Sequence, residues 1–477
     1  MKSIWTNSCI LKRWENLNRE IETEIAVIGG GITGILTAYL LQREGRRAVV
    51  LERYFIGSGQ TQNTTAKITS QHGLCYAGLI KKYGIEKARQ YGFANEEARK
   101  EYERLIEKEQ IACDFETTSS YVYGRSARGL EEEARAAGSL GLPAGLRREG
   151  LTLPFPVWGG AVEFHNQAQF HPLKFLSSLA EQVQVYENTP VERVRENVLF
   201  TPEGRVKAEK IVFACHFPFV NFPGLYFAKM HQERSYVVAL ENAMEVNGMY
   251  IGAEKRDFSF RSYGPYLLLG GEGHRCGDKT GQAARYEKLR EKAARWFPES
   301  REACCWSAQD CVTADSVPFI GRFSGSRQNW YVATGFQKWG MTTAMTAAML
   351  IRDDICGFTN PNREVFRPGR FPVKDLDFFL SDGVRSVKEL AKPFFYDPQK
   401  TARDILPGHG GIVTYEGRKI GIYKDEQQNI HGVEIRCPHL GCQLSWNPDE
   451  KSWDCPCHGS RFDYEGKLLN GPAQSGL

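Results

Sequence analysis

The chain has 477 residues, 42% of them apolar and 25% charged, with a formal net charge of +4; that is ordinary globular composition at a length that calls for two or three domains. So small and evenly spread a positive balance argues against nucleic acid as a partner, and no apolar run reaches the roughly 18 residues of a transmembrane segment. Thirteen cysteines are too dilute for a secreted disulfide framework, and residues 1–17 lack a signal peptide's apolar stretch and cleavage site, so a cytoplasmic location is expected.

Residues 22–52, ETEIAVIGGGITGILTAYLLQREGRRAVVLE, predict an apolar strand, a glycine turn, a helix and a second strand ending in an acid. Gly29, Gly31 and Gly34 fit G-x-G-x-x-G. The first permits a tight turn, the second lets backbone approach a pyrophosphate at the helix N-terminus, and the third lets helix and strand pack closely. Glu52 stands where a carboxylate can bind a ribose hydroxyl. In this strand–helix–strand setting the motif predicts a bound dinucleotide.

Residues 78–110 carry apolar positions at helical spacing among many charges, and predict one or two amphipathic helices with a solvated face. The runs VQVYEN (183–188) and KIVFAC (210–215) read as strands, and from about 233 to 270 the period changes to strands joined by turns. LLLGGEGHRCG (267–277) mimics a second nucleotide loop, but its sixth motif position is Cys276 and no helical pattern follows. It is expected to be a turn in a sheet. MTTAMTAAML (341–350) predicts a buried helix. Residues 359–402, rich in Pro, Arg and Asn, suit a connector lying over a surface, and short strands follow from 411 to 436.

Two loops near the C-terminus, CPHLGC (437–442) and CPCHGS (455–460), bring together Cys437, His439, Cys455 and His458. Two thiolates and two imidazoles would suit a tetrahedral zinc, or a 2Fe-2S cluster with two thiolates on one iron and two imidazoles on the other. Zinc would leave Cys442 and Cys457 without a role.

These loops closely resemble the Rieske proteins of the cytochrome bc complexes. The resemblance implies the cluster rather than zinc, a disulfide between Cys442 and Cys457, and a hydroxyl donor at Ser460. Where that family carries a tyrosine whose phenol bonds a ligand sulfur, this chain has Phe462, which implies a midpoint below the top of the Rieske range of about −150 to +300 mV. Asn470, Gly471, Pro472 and Ala473 resemble the proline loop that covers the cluster.

Residues 20–360 resemble the FAD-dependent oxidoreductases of the D-amino acid oxidase superfamily, through GSGQTQNTTAKITSQH (57–72), NQAQFHP (166–172), WSAQD (306–310), DSVPFIG (315–321) and YVATGFQKWGMTTAM (331–345). The resemblance implies an α/β fold: a Rossmann-type FAD-binding domain (about 22–75, 165–220 and 305–358) interleaved with an α+β substrate domain (76–164 and 221–304). A connector (361–402) and a small all-β Rieske domain (403–477) complete the expected order. It further implies adenine bound at Val191, a ring lined by Thr64, Thr65 and Lys67, and helix amides at Gly340, Met341 and Thr342 facing the flavin pyrimidine. Arg261, Tyr236 and Arg234 are candidates to grip substrate, and His72, His171 and His216 to shape proton chemistry.

The implied activity is hydride transfer from an amine or amino acid C–N bond to FAD, with electrons leaving singly through the cluster to an external acceptor. Reversed flow, as in a Rieske-fed reductase or monooxygenase, and a non-catalytic redox sensor are the alternatives.

Overall fold

The computed structural model describes residues 2–254, 256–278, 284–370 and 401–477. The first apolar run forms the strand Glu20–Ile28, whose alternate residues enter two separate cores: Ile25 and Val27 on one face, Ala26 and Ile28 on the other. A strand buried on both faces belongs at the centre of a covered parallel sheet. It pairs in parallel with Ala48–Leu51 on one side and Arg205–Phe213 on the other. Gln184–Tyr186 and Arg327–Thr334 extend the sheet in parallel, and Phe319–Ser324 closes one edge antiparallel.

The helices Ile32–Arg43 and Gly340–Cys356 cover one face, their apolar residues merging in one core. The predicted amphipathic stretch forms two helices, Tyr76–Tyr83 and Ile85–Glu109. Although assigned by sequence to the substrate domain, the longer one packs against the flavin-side helix, where the buried Tyr102 hydroxyl donates to Met341 O at 2.8 Å.

A second sheet has the order Arg301–Thr313, Met230–Glu241, Tyr266–Arg275, Ser259–Tyr263, Met249–Gly252, Glu116–Tyr123, Ala161–Gln169, Lys67–Ile68. The 267–277 segment is therefore a strand through Arg275 rather than a turn, because Leu267 and Leu269 are core residues paired with Leu240 and Val238. In sheet terms the return to the flavin side comes after Thr313, not at 305.

The C-terminal domain stacks a three-stranded sheet (Gly410–Tyr415, Arg418–Lys424, Ile430–Glu434) and a four-stranded one (Ser445–Asn447, Ser452–Asp454, Arg461–Asp463, Leu468–Asn470). Trp453 is fully buried between them, and Gly421 makes room for it, since a Cβ there would lie 2.7 Å from the indole. The start of the expected surface connector is instead packed: Phe366 stacks on Tyr91 with centroids 5.6 Å apart, and Arg370 pairs with Asp315 at 2.8 Å, both largely buried. Residues 371–400 of that connector lie outside the described residues. Among the described residues no helix is long and apolar enough to cross a membrane.

Candidate functional site

A cavity of about 390 Å³ opens where the first strand meets its helix. Gly29 turns with φ +110°, and a Cβ there would stand 2.6 Å from Ala214 O; one on Gly34 would meet Gly29 O at 1.9 Å. Only glycine permits this close approach of turn, helix and neighbouring strand. The helix N-terminus at Gly31, Ile32 and Thr33 opens on the cavity, as do Glu52 and Val191. Glu52 accepts from Gly30 N at 2.6 Å and Tyr54 N at 2.9 Å, and burial nevertheless pushes its carboxyl above the usual range. The cradle fits an FAD pyrophosphate and ribose.

Thr64, Thr65 and Lys67 line the same cavity, as do Gly340 and Met341 at the start of the helix Gly340–Cys356. Lys67 Nζ has a 3.3 Å contact to Thr65 Oγ1, and burial, reinforced by the Arg261 charge, lowers its pKa to about 7. Thr342 does not face the cavity: its hydroxyl donates to Thr69 O and accepts from Thr69 N, both at 2.8 Å. Sequence reasoning passed over Asp310 and Lys338, although both stand in motifs that carried the family resemblance. Both line the cavity, and burial raises the Asp310 carboxyl to about 7 against the opposing pull of Lys338.

The substrate-grip candidates fall elsewhere. Arg261 is fully buried, outside the cavity lining, and commits four of its five N–H donors to Gln169 Oε1 and the carbonyls of Thr65, Ala66 and Phe170, so it braces the wall behind Lys67 rather than facing a ligand. Tyr236 touches the cavity, but its hydroxyl turns away to His274 Nε2 (3.1 Å) and Asn447 Nδ2 (3.4 Å). Arg234 pairs with Glu450 at 3.0 Å. Of the histidines, His72 is spent on Tyr91 and Thr69, and His171 caps its helix through Lys174 N; neither lines the cavity. His216 does line it, with a buried Nε2 that has no hydrogen-bond partner among the described residues.

In the C-terminal domain Cys442 and Cys457 form the disulfide. Cys455 Sγ also lies within 4.8 Å of both their sulfurs, yet the disulfide removes those two from any metal. Cys437 and Cys455 remain as buried free thiols, and the His439 and His458 rings stand 4.9 Å apart at 89°. His439 Nδ1 is buried with no hydrogen-bond partner among the described residues, as a nitrogen reserved for iron would be. This donor set fits a 2Fe-2S cluster with two thiolates and two imidazoles.

Ser460 is fully buried, accepting from Ala473 N at 3.0 Å, and Phe462 is buried in the same core cluster as Cys437 and Cys455. Introducing a phenol there adds a donor near the sulfurs, so Phe462→Tyr should raise the cluster midpoint in potentiometry; an unmoved midpoint would remove Phe462 from the tuning.

The two sites share a wall. Residues Leu468 to Gln474 of the Rieske domain, including the proline loop, line the same cavity as the glycine turn. Gln232 Nε2 donates to His458 O and Gly471 O (2.6 and 3.1 Å), and Gln309 Nε2 donates to Gly459 O (2.7 Å). Tyr54 Oη donates to Leu468 O at 2.9 Å. His458 is the inner histidine, only 4% exposed, facing Phe217 and Phe227 of the flavin half. Sequence reading could not pair these halves, because the contacts join backbone carbonyls to scattered glutamines.

Residues 24–353 match the family model of FAD dependent oxidoreductases, and residues 398–477 that of the Rieske [2Fe-2S] domain. The chain belongs to the FAD-dependent oxidoreductase family and carries a C-terminal Rieske domain. Across 99% of its length it is 36% identical to YhfW of Bacillus subtilis (strain 168), a protein named for a Rieske 2Fe-2S iron–sulfur centre, and it spans 96% of that protein. The Rieske part alone is 37% identical over 75 residues to a cytochrome b6-f complex iron–sulfur subunit of Trichormus variabilis, covering 40% of it and 16% of this chain. Among solved structures, L-proline dehydrogenase from P. horikoshii (TM-score 0.62, 20% identity) aligns with 73% of this chain and 98% of its own. Glycine oxidase from Geobacillus kaustophilus (0.62, 16%) aligns with 74% and 99%. FAD and one 2Fe-2S cluster are therefore its cofactors.

Proposed function

We propose that the protein is a dehydrogenase that oxidises a C–N bond of a small amine or amino acid and delivers the electrons one at a time to an external carrier. The observation that carries this reading is the shared wall: a Rieske loop forms part of the flavin cavity. Bound FAD supplies a two-electron hydride acceptor and the 2Fe-2S cluster a one-electron carrier. Gly29, Gly31, Gly34, Glu52 and Val191 would hold the nucleotide, and Cys437, His439, Cys455 and His458 the cluster. The relatives of similar fold whose names specify proline dehydrogenase and glycine oxidase support an amino-acid substrate.

Within the cavity, Lys67 takes over the anion-binding role that Arg261 cannot perform. As a cation it attracts a substrate carboxylate; Asp310, deprotonated above about 7, is placed to accept an ammonium proton. Lys67→Met should raise KM for a carboxylate substrate by about 10- to 100-fold, from the roughly 1.5–3 kcal/mol of a charge-assisted hydrogen bond. In the wild type, affinity for the anion should fall as pH rises through about 7, where free Lys67 loses its proton. Equal KM values in variant and wild type would remove Lys67 from the substrate site.

The decisive experiment is anaerobic mixing with a panel of amines and amino acids. Flavin bleaching followed by cluster reduction supports the dehydrogenase. Reduction only by a reduced carrier protein would reverse the direction of flow, and no reduction by any amine, with cluster state altering partner binding, would favour a sensor.

A further inference from the structure

The flavin half reaches directly into the cluster's ligand sphere. Asn221, in the loop between the strand Arg205–Phe213 and the turn Tyr226–Ala228, places Oδ1 2.8 Å from His439 Nε2. Its loop is held by its own carbonyl, which accepts from Leu225 N at 2.9 Å. The His439 ring is fixed from two further sides, by Phe227 (centroids 6.5 Å, 77°) and His458 (4.9 Å, 89°). We propose that Asn221 is a positioning residue for the Rieske cluster, by which the flavin half orients one iron-binding imidazole and lowers the cluster's midpoint potential.

The chemistry follows from the two ring nitrogens. With Nδ1 reserved for iron, Nε2 carries the ring proton and donates it, and an amide oxygen is the group that can accept it. An acceptor on the far nitrogen makes the imidazole a stronger donor to its metal, which favours the more oxidised iron. Ser460 acts in the opposite sense, since a donor aimed at the sulfurs stabilises the reduced cluster. The potential is thus set partly from within the Rieske domain and partly by its partner domain, and docking the two lowers it.

The inference rests on His439 being an iron ligand. Wild-type protein lacking the Rieske EPR spectrum with histidine nitrogen couplings would strike that reading, independently of Asn221. Given that spectrum, potentiometry on the full-length holoprotein tests the inference through two variants. Asn221→Leu keeps the size but removes the acceptor, and Asn221→Asp strengthens it. With ambient potential poised at the wild-type midpoint, the reduced-to-oxidised ratio should rise severalfold in the leucine variant and fall in the aspartate variant; a tenfold change corresponds to about 59 mV for one electron. A purely structural contact would not move the midpoint in opposite directions. Midpoints equal to wild type, shifts of the same sign, or loss of the cluster spectrum from both variants would overturn it.

Discussion

Cys455→Ser should leave a yellow protein that amines still bleach, but without the Rieske EPR spectrum and without transfer to a one-electron acceptor protein. Cys455 is 1% exposed and tightly held: its amide donates to Ser460 O at 2.8 Å, and its carbonyl accepts from Gly459 N at 3.0 Å. Gly459 turns with φ +80°, and a Cβ there would lie 2.6 Å from Gln232 of the flavin half. Serine fits this loop, so the fold and flavin cradle should survive while the iron loses a thiolate. Loss of even an outer partner of a metal ligand costs about 10- to 100-fold, so transfer to the carrier should fall more than about 100-fold. Substrate-driven flavin bleaching, read anaerobically by absorbance, should continue. Undiminished transfer in the variant would mean that electrons leave the flavin by another route.

Both cofactor cradles were legible in sequence because each depends on local geometry. Gly29 and Gly34 are demanded by contacts of 2.6 and 1.9 Å that a Cβ could not survive, and the two ligand loops carry their chemistry in six residues each. Substrate residues were not legible, because an arginine on a strand reads alike whether it faces a cavity or a wall. Arg261 turned out to bind backbone carbonyls behind Lys67. The helix Ile85–Glu109 was legible but its packing partner was not, since amphipathic periodicity shows that a face is buried and not against which element. Nothing in sequence disclosed that Arg234 and Glu450, 216 residues apart, meet at a domain boundary.

That boundary makes the second large prediction: Arg234→Ala should undock the Rieske domain. Arg234 is 2% exposed and bonds Gln309 Oε1 (2.9 Å), Ser307 Oγ and Glu450 Oε2 (3.0 Å). Glu450 also accepts from Tyr286 Oη (2.8 Å) and Arg461 Nη2 (3.3 Å), and Arg461 Nε binds the buried Asp454 at 3.0 Å. Removing Arg234 leaves the buried Glu450 carboxylate with one of its two guanidinium partners, at a cost of up to about 3–5 kcal/mol. Arg234→Lys keeps the charge but not the fork, and should recover only part of the loss. Undocking would be read as faster proteolysis between the domains and slower intramolecular cluster reduction after flavin bleaching. Unchanged proteolysis and unchanged cluster reduction would show that the glutamine-to-carbonyl contacts suffice.

Acid should imitate the mutation. Burial opposes the charges of Glu450 and Asp454, but Arg234 and Arg461 more than offset it and hold both carboxyls below their usual range. Both therefore bind protons more weakly folded than unfolded. Their stabilisation is complete above the ordinary carboxylate range near 4 and is lost as pH falls below it. Domain contact should loosen in acid and not in mild base. Proteolysis between the domains of the wild type should therefore quicken as pH falls below about 4, whereas Arg234→Ala, undocked already, should show no further acid step; an equal acid step in both would count against this network as the clasp.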